Sequence, residues 1–199
     1  PDDHQTLDVF DLNPRRHGSK VRARDPDRPR RPMAETPPER HAADRPFPPY
    51  AYLPGRDPHP TRDPAGHSHG LEEADVTAPA PEDFASCGDY LFGVDLYNHG
   101  YHWEAHEVWE GLWHASPDPV QREHLQALIQ AAAAGVQHRL GHASGRARLA
   151  RRASERLRTV EREAGRRYMG IQVSQLATDL ARFAFGERPI PRIYLSLPR

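Results

Sequence analysis

The chain has 199 residues, is 37% hydrophobic, and balances 27 Lys and Arg against 28 Asp and Glu. Its mass is 22.5 kDa and its mean hydropathy -0.85, which suits one domain of about 100–150 residues plus sequence that joins no core. There is no run of 18 apolar residues and no basic-then-apolar leader, so the sequence predicts a soluble, cytoplasmic protein with no membrane partner. Cys87 is the only cysteine, which excludes intramolecular disulfides and multi-cysteine metal sites. Lys20 is the only lysine, which excludes a P-loop or Schiff-base lysine in the folded part.

Fourteen of the 21 prolines precede residue 65, and residues 1–45 mix Arg and Asp in short runs. Such a stretch buries too little apolar surface to offset the entropy of ordering it, so 1–45 is expected to be a disordered or draped arm. Residues 46–83 differ, because Phe47, Tyr50 and Tyr52 are aromatics that a free linker does not need. That segment is predicted to lie extended on the domain. Its stretch from Arg56 to Gly70 gathers His59, Arg62, His67 and His69 in a backbone stiffened by Pro58, Pro60 and Pro64, which suits an ordered polar loop.

Residues 84–199 are predicted to form an all-α antiparallel bundle of about five helices, at 84–98, 101–115, 119–141, 146–165 and 173–186. The stops are Asn98-His99-Gly100, Ser116-Pro117-Asp118-Pro119, and the glycines Gly141 and Gly145. No segment alternates with period two between turn signals, which argues against a sheet. Twelve acidic residues face one Arg between 71 and 123, whereas ten Arg face three Glu between 139 and 167. These regions should attract one another, within a subunit or across a dimer. The Arg stripe from Arg148 to Arg162 reads as a solvated face, because the balanced net charge and the lack of interleaved aromatics disfavour nucleic acid.

The second helix carries the chemistry. At about 100° per residue, Tyr101, Ala105, Val108, Trp109, Leu112 and Trp113 form an apolar arc, with Glu104, His106, Glu107 and Glu110 opposite. Trp103 projects into that polar side, so something is expected to cover it. Carboxylates and an imidazole desolvated together need hydrogen bonds, an Arg partner or a metal. His106 and Glu110 stand at i and i+4, and His102 one turn earlier. The segment reads His-Glu-x-x-Glu, close in spacing to the His-Glu-x-x-His zinc motif.

One reading is therefore a metal-dependent hydrolase. In it His106 and Glu110, aided by His59 or His67, hold a divalent ion such as zinc, and Glu107 or Glu104 acts as general base. The other is a non-catalytic helical interaction module, expected as a homodimer, in which the cluster is structural. There Asn98 caps the second helix and the carboxylates accept from Arg62 or from backbone donors. Gln126 and Gln130 on the third helix either bond across a tight contact at Ala131–Ala134 or line the same polar cavity as Glu107. Gly66-His67-Ser68-His69-Gly70 fits the G-x-S-x-G pattern, but Pro64 precedes it and an acidic linker follows, so the strand-to-helix context of that motif is absent.

The run from Leu96 to Trp113 closely resembles the signature of the prokaryotic family known as domain of unknown function 309. Asn98, Gly100, Trp103, Glu104, His106, Glu107, Glu110 and Trp113 fall on it without a gap. The resemblance extends over about residues 84–165, and the Pro-His-Pro-Thr-Arg-Asp-Pro stretch resembles an N-terminal extension of one branch. It implies an all-helical fold and brings no established activity. His102 stands where the family usually has Tyr or Phe, which implies a packing or surface residue and not a shared ligand.

Overall fold

The computed structural model describes residues 37–71 and 75–198. Most of the arm expected over 1–45 thus lies outside the described residues, and Pro38–Arg199 form one compact unit. The fold is all-α. A 3-10 turn at Pro81–Ser86 leads into α1 (Gly88–Asn98), α2 (His102–Ala115), α3 (Pro119–Arg139), α4 (Ala143–Ala164) and α5 (Val173–Phe185). Among the described residues there is no strand, only two isolated bridges that join Ile171 to Tyr168 and Leu195.

The helix ends follow local chemistry. Asp118 accepts the Gln121 N–H at 2.6 Å and Pro119 occupies the first turn of α3, where a missing N–H costs nothing. Gly141 (φ +77°) and Gly186 (φ +77°) adopt the left-handed backbone that follows α3 and α5. Two helix starts depart from the periodic expectation. Helix α4 begins at Ala143, three residues before 146. The first helix begins at Gly88 and not at 84, because Cys87 is extended (φ -86°, ψ 98°) and Phe84 sits in the preceding 3-10 turn.

Consecutive helices pack on one another, with α3 held between α2 and α4 and with α5 on α4. Leu125, Leu128, Ile129 and Val136 of α3 are fully buried, as are Ala131 to Ala134. The alanine run therefore serves helix packing inside the chain, where small side chains allow close approach. Gly93 is required for the same reason, since a Cβ there would lie 2.3 Å from the indole nitrogen of Trp109. The acidic and basic regions meet through Glu123 and Arg156, whereas Arg148, Arg151, Arg152 and Arg162 are exposed.

Segments outside the helices are tied down by polar side chains. The buried Asp95 carboxylate of α1 accepts the backbone N–H groups of His41 and Ala42, each at 2.9 Å, with Arg40 Nε at 3.5 Å. Phe47 stacks on Tyr101 at 4.9 Å between ring centres, with the Arg40 guanidinium 4.0 Å from its own ring. At the other end of the chain, the Asn98 amide donates to Ile193 O and accepts from Ile193 N, both at 2.8 Å. Asn98 therefore fastens the C-terminal segment and does not cap α2, whose first turn has no side-chain cap.

Candidate functional site

Gly100 (φ +86°) reverses the chain after α1, and α2 then projects His106, Glu107 and Glu110 from adjacent turns. His106 Nδ1 lies 3.2 Å from Glu107 Oε1 and 4.0 Å from Glu110 Oε2. One ligand atom from each of the three residues fits within 4.8 Å of the others. The imidazole is buried, Glu110 is partly covered, and the Glu107 side chain is 48% exposed. This set of one nitrogen and two carboxylate donors suits a borderline divalent ion and leaves positions open to water.

The Pro-rich segment forms the roof. Trp103 lies against the His106 ring at 6.0 Å between ring centres and receives Tyr52 at 4.9 Å and His59 at 5.7 Å, both edge-on. Tyr52 and Leu53 are buried. The 59–68 turn closes tightly: Ser68 N donates to Pro60 O at 2.9 Å, and a Cβ on Gly66 would fall 2.2 Å from His59 O. Only glycine fits that approach.

Beneath the roof is a cavity of about 210 Å³. Pro48, Pro60, Phe92, Leu96, Trp103 and Val108 supply apolar wall. Its polar lining is Thr61, His67, Ser68, Glu104 and Glu107, so Glu107 belongs both to the cavity and to the cluster with His106. The Glu104 carboxylate is buried. Its Oε1 accepts Tyr52 N–H at 2.8 Å and His67 Nε2 at 3.3 Å, while Oε2 has no hydrogen-bond partner. Burial raises the Glu104 pKa, and the bonds from Tyr52 and His67 act the other way. His67 Nδ1 in turn stands 2.9 Å from Ser68 Oγ.

Several expected partners lie elsewhere. His67 faces Glu104 and is not among the three grouped donors. His59 uses Nδ1 to accept from Thr61 and Arg62 N–H at 3.3 and 3.4 Å, and burial followed by the Arg62 charge lowers its pKa. Arg62 is exposed and acts on His59 and Tyr52 through its charge; Glu104 takes its hydrogen bonds from Tyr52 and His67 instead. Neither Gln126 nor Gln130 lines the cavity, and Gln130 is buried in the helix packing. His102 is buried beside Tyr97 and Gly135, and desolvation pushes its pKa down to about 4. Spacing on α2 could not reveal Tyr52 N–H or Ser68 as part of the site; the hints are the aromatic content of residues 47–52 and the Gly66–Gly70 motif in the polar loop.

The family model described as "Domain of unknown function (DUF309)" matches residues 90–149, a span that contains all of α2 and α3. No curated protein and no solved structure matches the chain. The matched span holds the His106, Glu107 and Glu110 cluster together with Asn98, Gly100, Trp103, Glu104 and Trp113, and the match supports a DUF309 assignment for residues 90–149.

Proposed function

We propose that this protein is a metal-dependent hydrolase that acts on a small substrate held under the Pro-rich roof. The observation that carries this reading is the convergence of His106 Nδ1 with the Glu107 and Glu110 carboxylates within 4.8 Å, beside a cavity that Glu107 also lines. A divalent ion held there would lower the pKa of a bound water toward neutrality. Glu104 is the proton acceptor suited to that water, because it lines the same cavity as Glu107 and burial raises its pKa. Glu107 is then a ligand, and His67 lines the cavity without ligating.

The test is metal analysis and zinc titration on protein purified without a His tag. About one equivalent per chain is expected, with a higher melting temperature that chelation reverses and that His106→Ala and Glu110→Gln abolish. Less than about a tenth of an equivalent, with melting indifferent to chelation, would overturn the proposal in favour of a structural cluster in an interaction module.

A further inference from the structure

The Gly66-His67-Ser68-His69-Gly70 motif lacks the strand-turn-helix setting of a hydrolase nucleophile, yet the fold gives its serine the partners such chemistry needs. Ser68 Oγ lies 2.9 Å from His67 Nδ1, and His67 Nε2 lies 3.3 Å from Glu104 Oε1. All three residues line the 210 Å³ cavity. Glu104 comes from α2, and its position is fixed by Tyr52 N–H, so the chain of contacts joins two segments distant in sequence. Because the carboxylate accepts from Nε2, the imidazole proton resides there and Nδ1 is left as an acceptor for the serine hydroxyl. The serine backbone is pinned on both sides, by Ser68 N to Pro60 O and by Leu71 N to Ser68 O.

We infer that Ser68 is a nucleophile for acyl transfer, with His67 as its general base and Glu104 as the residue that orients His67, and that its substrates are esters of short-chain carboxylic acids. In the first step Ser68 Oγ bonds to the ester carbonyl carbon and its proton passes to His67 Nδ1. The bond from that carbon to the alkoxy oxygen then breaks, and the proton on Nδ1 leaves with the alcohol. In the second step water attacks the acyl-serine and gives a proton to Nδ1. The carboxylic acid departs as Ser68 recovers the proton. Apolar walls and the small volume limit the acyl group to a few carbons. No metal takes part in these steps, so this inference does not need the metal centre proposed above, although the two share Glu104.

The experiment uses the full chain in excess chelator with a small fluorophosphonate, read by intact mass and peptide mapping, alongside the burst of nitrophenol from p-nitrophenyl acetate. One adduct on Ser68 and a burst of about one equivalent are expected. Ser68→Ala should abolish both, and His67→Ala and Glu104→Gln should slow labelling by at least about tenfold. Melting curves identify any variant that fails to fold; His67→Ala, on the loop, serves if Glu104→Gln does not. No adduct, an adduct on another residue, or equal labelling of wild type and folded His67→Ala would overturn the inference. Metal content is measured on the same samples, so failure of the metal centre and failure of Ser68 give separate readouts.

Discussion

The backbone N–H of Tyr52 donates to Glu104 Oε1 at 2.8 Å, a contact between residues 52 positions apart that joins the Pro-rich roof to α2. Replacing Glu104 by Ala would leave that N–H and the His67 imidazole without their acceptor. A stability loss of about 2 kcal/mol is expected from orphaned buried donors, measured by denaturant unfolding. Trp103 emission should shift to the red in the same variant as Tyr52 withdraws from the indole.

Gly66→Ala tests the roof from the other side. The new methyl would press on the carbonyl oxygens of His59 and Pro60, which are backbone atoms and cannot rotate away. The 59–68 turn must open, so a lower melting temperature and faster proteolysis at Arg62 are expected. A variant with wild-type melting and wild-type cleavage would show that the turn is not held as described.

Two buried imidazoles set an acid limit on the fold. Desolvation lowers His102 to about 4 and His124 to about 3, and Nδ1 of each has no hydrogen-bond partner. Both groups are neutral in the folded state and ionise near pH 6.5 when unfolded, so the unfolded chain binds more protons below that pH. The contribution is complete above about pH 6.5 and is lost as pH falls toward 4 for His102 and toward 3 for His124. For His102 the total is on the order of 3 kcal/mol. His102→Phe, which preserves a ring beside Gly135, should lower the slope of stability against pH between 6 and 4 by about one proton.

Asn98→Ala should act locally. It removes both hydrogen bonds to Ile193, so the segment after α5 is expected to loosen and trypsin cleavage at Arg192 to accelerate. The global unfolding midpoint should move by no more than about 1 kcal/mol equivalent, because the helical core is untouched.

The helices were legible where sequence carries local physics. Asp118-Pro119 announces the start of α3, and the apolar period of α4 places Leu149, Ala153, Leu157 and Val160 on its buried face. Phe84 misled the first boundary, since an aromatic in phase with a helix does not reveal that Cys87 three residues later is extended. In the site, His106 and Glu110 are visible from i, i+4 spacing alone. The partner of Glu104 is not, because a backbone N–H from Tyr52 has no residue-type signature. Asn98 shows the same limit: the residue looks like a helix cap, and only the fold brings Ile193, 95 positions away, to its amide.

Because α3 is covered on its whole circumference from Ala127 to Gln137, its amide protons have no local route to water. They should exchange with deuterium only when the entire domain opens, and their rates would report its global unfolding free energy directly. The roof over Trp103, held by a few polar contacts, should trade its protons orders of magnitude sooner.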